Sequence, residues 1–415
     1  MEATAEKTGA AQEWRAYWYL PLVAGIGFTA PLLYAYALGP FVEPLQTAFG
    51  WSRAQVMTGN AIANLPTVIL LPLFGLLIER WGPRRVGLIG VTIMPLAFGL
   101  LGTATGTSLN WWMLWAFIAI CVPFVQASVW TSPVVARFAA GRGLAMAVTL
   151  SIGSLASAVM PLLATLLLTH FGWRQGFMGV GLAWFLLMFI PIASFFRGPQ
   201  DGSRAARQGN AAASDAAPGL TLPEALRSFT FYKLLFAAIT FSLAVVTMTI
   251  HAVPMLKGLG ASPLQAASTV ALYGLFSIVG RLGMGWLVDR YPSHIVSATF
   301  YLLPIPAYLL LITSGTSPTV QMVAVAMMGL SGGGQVGAVA YLITRHFGLK
   351  RFASLTSVLF SIIALGSAIG PVSAGAVFDH AGSYVPYMIA AMVLTAIASL
   401  GLLSLGRPPY GAAGH

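Results

Sequence analysis

Arg281 is a basic residue within the otherwise uncharged, mainly apolar stretch YGLFSIVGRLGMGWLV, which runs from Tyr273 to Val288. A guanidinium at the centre of a membrane helix costs about 2.5–3.5 kcal/mol on insertion scales, so it needs a compensating partner. Backbone carbonyls at helix ends in a bundle interior could be that partner, and so could an anion that binds and leaves. A carboxylate fits the second interpretation, because the planar guanidinium can bind it by two parallel charge-assisted hydrogen bonds.

Two polar residues precede Arg281 on the same side of the predicted helix. Ser277 lies about one helical turn and Tyr273 about two turns before Arg281, because residues three or four apart share a helix face. A small acid could then contact a guanidinium, a hydroxyl and a ring in succession. For Tyr273, packing in the core is the alternative interpretation.

His251 and Glu43 are the candidate proton-coupling residues. His251 lies well inside an apolar stretch and is also a candidate ligand of a substrate hydroxyl, since histidine titrates near neutral pH. A structural histidine near Pro254 is the alternative. Glu43 precedes Pro44 at the end of the first apolar stretch, where a solvated helix end is the alternative to a proton relay.

Other polar residues inside apolar stretches are weaker candidates for contacts with a ligand. The glycines at 332–334 do not indicate a phosphate-binding loop, because the strand before the loop and the lysine within it are missing, so they favour close helix packing. The candidate ligand residues are Tyr34, Asn64, Gln126, Gln335, Ser357 and Ser361.

The elements that position these residues are predicted to be transmembrane helices. The chain has 415 residues, 58% of them apolar and 7% charged, and a mean hydropathy of +0.83, which is typical of a polytopic membrane protein. Apolar stretches of about 20 residues favour helices over an outer-membrane barrel. Twelve spans are predicted, at 17–40, 54–78, 86–105, 110–135, 143–168, 174–196, 230–256, 264–287, 295–314, 319–342, 353–378 and 384–405.

The basic residues predict the orientation of these helices. Of the 21 lysines and arginines, 17 fall on the side of the N-terminus, three (Arg53, Arg174 and Lys257) on the opposite side, and Arg281 within a span. The positive-inside rule therefore places both termini in the cytoplasm. The net charge of +11 then reports topology and gives no reason to expect a nucleic-acid partner. Without an evident signal peptide, the chain is expected in the cytoplasmic membrane, with the lipid bilayer around it.

A linker rich in Ala, Gly, Ser and Arg divides the chain near its middle. It predicts two six-helix bundles, at 17–197 and 230–406, joined by a cytoplasmic linker at 198–229 and flanked by cytoplasmic tails at 1–16 and 407–415. Thr221 and Glu224 form a capping-box pattern, which predicts a short surface helix inside the linker. Ser52 is a predicted helix cap at the start of the second span.

The two predicted bundles are related by an offset of 210 residues in the sequence. Several features coincide at this offset, which indicates a tandem duplication of six helices. The coinciding pairs are Gly75 and Gly285, Glu79 and Asp289, Arg80 and Arg290, Pro161 and Pro371, His170 and His380, and Gly172 and Gly382.

A glycine, acid and arginine pattern occupies the short loop between spans two and three. An acid and several arginines in so tight a loop can pair with neighbouring helix ends and close the inner face. With twelve spans and a weaker second copy, the pattern resembles the major facilitator superfamily, and we expect a conformational gate here, with charge that only sets the topology as the alternative interpretation. The gate residues are Gly75, Glu79, Arg80, Gly82, Arg84 and Arg85, with Gly285, Asp289 and Arg290 in the second copy.

Five further segments of the sequence are similar to one branch of that superfamily: Gly50–Ser52, Arg142–Leu144, Phe171–Phe177, Arg281 with Gly280 and Gly283, and His346–Gly348. In these segments the chain resembles the monocarboxylate transporter and oxalate/formate antiporter branch. The resemblance implies that the arginine of span eight, here Arg281, binds the substrate carboxylate. The chain departs from that branch at two points. Ser277 stands where the monocarboxylate pattern often has an acid, which weakens the case for proton coupling by an acid–arginine pair. The segment 353–378 contains no lysine, whereas the oxalate exchanger pattern has one, and this disfavours a dianion as substrate.

The sequence contains no pattern of paired carboxylates, metal ligands or a nucleophile triad, so we expect neither an enzyme nor a bound cofactor or metal. Cys121, the single cysteine, excludes an intrachain disulfide. We therefore predict a secondary transporter or facilitator for a small organic anion, most simply a monocarboxylate, with a co-transported proton or an exchanged anion as the coupling partner. An exporter of hydrophobic drugs or neutral metabolites, and a membrane sensor without transport, are the alternatives.

Overall fold

The computed structural model describes residues 10–138, 142–197, 219–288, 290–348 and 352–406, and within these ranges the chain is helical with no named strand. The helices of the first half are α1 (Ala10–Tyr17), α2 (Tyr19–Phe28), α3 (Leu33–Ala37), α4 (Val42–Phe49), α5 (Arg53–Trp81), α6 (Pro83–Leu100), α7 (Ser108–Cys121), α8 (Ala127–Arg137) and α9 (Arg142–Phe195). Those of the second half are α10 (Leu222–Arg227), α11 (Phe229–Phe241), α12 (Thr247–Gly258), α13 (Pro263–Val288), α14 (Ser293–Leu302), α15 (Pro304–Ser314), α16 (Pro318–Phe347), α17 (Phe352–Ala381) and α18 (Val385–Leu403).

The helices are long and apolar enough for a multi-pass membrane protein. Among the described residues, nine helical segments meet the length and composition of a membrane span. One of them, Leu144–Phe195, has 52 residues and is interrupted at Gly172, where φ is 77° and the backbone is not helical. Two further helices, α5 and α16, have 29 and 30 residues.

The backbone repeats itself at the 210-residue offset. Gly172 and Gly382 both have positive φ, at 77° and 66°, and so do Gly50 and Gly260, at 68° and 96°. Both members of each pair follow a helix, at the position where a left-handed glycine commonly ends one. The offset read from the sequence therefore relates equivalent turns of the two halves.

The helices that follow Gly50 and Gly260 also begin with the same pair of side-chain hydrogen bonds. Ser52 Oγ accepts from the Gln55 backbone N–H, and the Ser52 N–H donates to Gln55 Oε1. Ser262 and Gln265 make the identical pair. This confirms the predicted Ser52 cap, and its counterpart in the second half strengthens the evidence for duplication.

Buried apolar side chains form one large cluster in each half. The first runs from Leu20 to Phe196 and takes in Ile250, and the second runs from Ala225 to Leu405. The short helix α10 lies beside the second cluster, and its capping box of Thr221 and Glu224 is present as predicted. Each half therefore has its own packed interior.

Three segments differ from the sequence-based prediction. The segment predicted as a tail at 1–16 is helical from Ala10, where α1 begins, and its Trp14 packs on Phe138 with ring centroids 5.2 Å apart. The first span was expected to end at residue 40, but short 3₁₀ turns at Ala30–Leu32 and Gly39–Phe41 admit its prolines, and the helical path runs to Phe49. The fourth predicted span is interrupted by a 3₁₀ turn at Val122–Val125, where Pro123 lacks a backbone N–H.

Candidate functional site

Arg281 lies between the two halves of the molecule. It is half-buried on α13, and its Nη1 donates a hydrogen bond of 2.5 Å to the Leu150 carbonyl of α9. Within the described part of the chain, Arg281 makes this one hydrogen bond, and no carboxylate there forms an ion pair with the guanidinium. A backbone carbonyl of the opposite half thus offsets part of the cost of placing this charge in an apolar helix.

Two tyrosines from opposite halves flank Arg281. Tyr36 of α3 and Tyr273 of α13 have ring centroids 6.4 Å apart, and both phenols lie near the Arg281 guanidinium. Tyr273 was predicted from the sequence as a site residue, whereas Tyr36 was not. The alternation of Tyr34 and Tyr36 was the available signal, because residues two apart point to different sides of a helix.

Close backbone contacts fix α13, which carries Arg281, against its neighbours. A methyl group at Gly274 would lie 2.5 Å from the Ser154 carbonyl of α9, and one at Gly280 would lie 2.1 Å from the Leu330 carbonyl of α16. Glycine at these positions lets the helix backbones approach more closely than side chains would allow. Arg281 is therefore held on a helix packed against both halves.

Ser277 and Gln335 are turned into helix contacts within the second half. Ser277 is buried and donates to the Gly274 carbonyl of its own helix, while its own carbonyl faces Gly333 of α16. Gln335 is buried and donates to the Phe300 carbonyl of α14 and to Ser331. These bonds give the Ser277 hydroxyl and the Gln335 amide nitrogen partners within the second half.

Tyr34 and Asn64 lie together beside α5. The Tyr34 hydroxyl donates to Asn64 Oδ1 at 3.1 Å, and Asn64 Nδ2 donates to the Asn60 carbonyl at 2.8 Å. Asn60 Nδ2 in turn donates to the Ser367 carbonyl of α17 at 2.8 Å, which crosses to the other half. This polar group lies at the α5–α17 contact, whereas Arg281 lies at the α9–α13 contact.

The remaining predicted ligand residues have less defined positions. Gln126 is the residue before α8, and its side chain makes no cap. Ser361 is half-buried on α17. The Ser357 side chain lies outside the described part of the structure.

His251 and Glu43 lie at one end of the molecule, here called the Arg53 end, with Arg53, Lys257 and Asp379. His251 is fully buried and contacts Tyr384 and the Pro371 carbonyl. Glu43 contacts Lys257 and Arg53. The charged groups that act on His251 are Arg53 and Asp379, and both belong to the Arg53 end.

The predicted gate motif is only partly described. Gly82 precedes α6 with φ at 83°, and Arg84 donates to the Ala193 carbonyl at 2.8 Å. Arg85 and Gly285 are exposed, and Arg290 lies 4.1 Å from the Trp286 ring centroid. For the remaining motif residues, the side chains and their surroundings lie outside the part of the structure that is described. These residues are Gly75, Glu79, Arg80 and, with its backbone as well, Asp289.

A cavity of about 470 Å³ lies at the Arg53 end. Its walls come from both halves and include Glu43, Thr165, Trp173 and Lys257. Arg281 is not among the lining residues, so this cavity and the Arg281 site are separate features. The described residues contain no cluster of His, Cys, Asp and Glu suited to a metal.

The chain is similar to a large group of membrane transporters. The family model of the Major Facilitator Superfamily matches residues 22–348 and 234–414. An MFS-type transporter of Gibberella moniliformis (strain M3125 / FGSC 7600) is 25% identical over 360 residues, which cover 83% of this chain and 81% of the relative. Monocarboxylate transporter 13 of Bos taurus is 22% identical over 363 residues, covering 86% of this chain and 81% of the relative.

One further relative is similar to a segment of the chain, and a solved structure is similar to the fold as a whole. The 4-hydroxybenzoate transporter PcaK of Pseudomonas putida is 28% identical over 153 residues, which are 37% of this chain and 34% of the relative. The crystal structure of a mutant of the nucleoside transporter NupG has a TM-score of 0.74 at 11% identity and covers 94% of this chain and 100% of that chain. At this identity the likeness to NupG concerns the fold alone.

Proposed function

Because the chain belongs to the Major Facilitator Superfamily, a family of multi-pass membrane transporters and not of enzymes, we propose that it transports a small monocarboxylate. In this proposal the two halves alternate in opening a central site to either side of the membrane. Transport is secondary or facilitated, with a proton or an exchanged anion as the coupling partner.

The observation that carries the substrate class is the position of Arg281. It is a half-buried cation between the halves, and its hydrogen bond goes to the neutral Leu150 carbonyl. A single fixed positive charge is matched by a single carboxylate, whereas a dianion would leave one buried negative charge without a partner. The names of two relatives, a monocarboxylate transporter and a 4-hydroxybenzoate transporter, support the same class.

In the proposed complex, the substrate carboxylate takes the place of the Leu150 carbonyl on the guanidinium. Two parallel hydrogen bonds to Arg281 replace one bond to the backbone, and the phenols of Tyr36 and Tyr273 border the rest of the substrate. Because Leu150 belongs to the first half and Arg281 to the second, substrate binding would remove a direct bond between the halves. A ligand with different affinities for two arrangements shifts the balance between them.

The finer topology is also part of the proposal. Twelve spans form bundles at 17–197 and 230–406, with the linker at 198–229 and both termini in the cytoplasm, and the protein resides in the cytoplasmic membrane. The count of twelve takes the nine apolar segments, divides α9 at Gly172 into two spans, and adds α5 and α16. The Arg53 end then faces outward, because it carries the three basic residues assigned to the outer side.

Replacement of Arg281 tests the proposal directly. We expect Arg281→Gln to lower kcat/KM for uptake of a monocarboxylate by at least about 100-fold, since two charge-assisted hydrogen bonds of roughly 1.5–3 kcal/mol each are lost. Arg281→Lys keeps the charge but not the planar fork, and we expect a loss of at least about tenfold. Uptake of radiolabelled acid into proteoliposomes, with equal amounts of folded protein, measures both.

The same assay separates the alternatives. Wild-type carboxylate uptake by both Arg281 variants would exclude the assigned role of Arg281. Transport of a neutral hydrophobic compound at an unchanged rate in those variants would favour the exporter. Ligand binding without flux in proteoliposomes of the unmodified protein would favour the sensor.

A further inference from the structure

Asp379 of α17 binds the start of α5 in the opposite half. Its Oδ1 accepts from the Arg53 backbone N–H at 3.0 Å, and its Oδ2 accepts from the Ala54 backbone N–H at 2.9 Å. The first N–H groups of a helix have no acceptor within the helix, and the positive end of the helix dipole favours an anion. Asp379 therefore supplies, from the second half, acceptors for the first two N–H groups of α5, while Ser52 accepts from the Gln55 N–H.

The Arg53 side chain is buried in the same contact. It is 7% exposed, its Nη1 donates to the Tyr384 hydroxyl at 2.7 Å, and its Cζ lies 3.7 Å from the Phe378 ring centroid. Tyr384 and Phe378 belong to the second half, whereas Glu43, whose Oε1 lies 3.9 Å from Arg53 Nη2, belongs to the first. The hydrogen bond to Tyr384 and the stacking on Phe378 exist only while the halves are together at this end.

His251 and Tyr384 complete the hydrogen bonds around Arg53. His251 Nδ1 lies 2.8 Å from the Tyr384 hydroxyl, and Nε2 lies 2.9 Å from the Pro371 carbonyl. Since a carbonyl only accepts, Nε2 carries the proton, and in the neutral imidazole Nδ1 then accepts from Tyr384 while Tyr384 accepts from Arg53. The imidazole thus orients the hydroxyl that receives the guanidinium. We call Arg53, His251, Phe378, Asp379 and Tyr384 the Arg53 cluster.

The contact continues inward along the two helices. A methyl group at Gly375, one turn before Asp379, would lie 2.8 Å from the Ala54 nitrogen. Further along, Asn60 donates to the Ser367 carbonyl. The helices α5 and α17 therefore touch through backbone and polar groups from the Arg53 end as far as Asn60.

We propose that the Arg53 cluster is the gate that holds the two halves together at the Arg53 end. Asp379 and Arg53 form its bonds across the halves, and His251 and Tyr384 position the Arg53 side chain. Every one of the bonds that Arg53 and Asp379 make across the halves must break when the halves separate at this end. The cluster therefore stabilises one state of the transport cycle. This inference rests on alternating access in the proposed function and is independent of the substrate.

The test measures access to a cysteine placed behind the gate. In protein with Cys121→Ala, Asn60→Cys introduces a single thiol at the α5–α17 contact, where the Asn60 side chain meets α17, about two turns inward of Arg53. A membrane-impermeant maleimide is added to the face of oriented vesicles that is predicted to be outer. We expect Asp379→Asn and Arg53→Gln each to accelerate labelling by about tenfold, the shift produced by losing a charge-assisted hydrogen bond in a two-state equilibrium.

Two further variants make the result specific to the gate. Gly375→Ala leaves every charge in place but presses on α5, and we expect the same acceleration in this variant. Arg174→Gln removes another arginine, whose hydrogen bonds within the described part of the chain go to the Gly102 and Ala104 carbonyls of its own half, and we expect unchanged labelling. Unchanged labelling in Asp379→Asn, Arg53→Gln and Gly375→Ala, or equal acceleration in Arg174→Gln, would overturn the proposal. Since no substrate is used, failure of the carboxylate assignment would leave this result intact.

Discussion

Two tyrosines of one short helix, α3, face different surroundings. Tyr36 lies beside Tyr273 and near Arg281, at the contact between the halves. Tyr34 bonds Asn64 and packs its ring against Trp115, with centroids 6.0 Å apart. The difference assigns Tyr36 to the proposed substrate site and Tyr34 to the interior of the first half.

We expect Tyr36→Phe to raise the KM for a monocarboxylate by about threefold to tenfold, because a neutral hydrogen bond contributes roughly 0.5–1.5 kcal/mol. Tyr34→Phe is the matched control on the same helix, and its KM should stay within about twofold of the unmodified protein. Initial uptake rates over a range of substrate concentrations measure both. An equal rise in KM for the two variants would contradict the assignment.

At the scale of helices, the position of Arg281 depends on how tightly α13 packs. Gly280 and Gly283 flank the arginine on the same helix, but their surroundings differ. A methyl group at Gly280 would lie 2.1 Å from the Leu330 carbonyl, whereas none of the described atoms lies within 4 Å of one at Gly283. The contact with α16 therefore involves only one of these two glycines.

Gly280→Ala should destabilise the protein by about 1–3 kcal/mol, because an added methyl group must displace the backbone of α16. Gly283→Ala should be neutral or slightly stabilising, since alanine favours the helix over glycine. Thermal unfolding of both variants in the same detergent gives the comparison. Equal melting temperatures would show that α13 and α16 are less closely packed than described.

For the whole molecule, the proposed site predicts selective stabilisation by ligands. A monocarboxylate that binds only the folded protein should stabilise it by about 2.7 kcal/mol at 100 times its Kd. The corresponding uncharged amide should leave the melting temperature unchanged, and so should the acid added to Arg281→Gln. A thermal-shift series with acid and amide pairs measures this, and equal shifts for acid and amide would count against a charge-based site.

Much of the architecture was predictable because it depends on local chemistry. Apolar stretches of membrane length predicted the ends of most helices to within a few residues. The energetic cost of a charge in an apolar helix identified Arg281 as a candidate site residue. The 210-residue offset predicted equivalent positions, and the structure adds matching left-handed glycines and matching Ser–Gln caps to it. The family resemblance is likewise confirmed.

Only the tertiary structure determined which helices distant in the chain contact one another. It placed Tyr36 rather than Tyr34 beside Arg281, gave Arg281 the Leu150 carbonyl, and put His251 with Arg53. Asp379 caps a helix that begins 326 residues earlier in the chain. The sequence could not give these contacts, because membrane helices are apolar toward lipid and toward each other, so hydropathy leaves their rotation and docking undetermined.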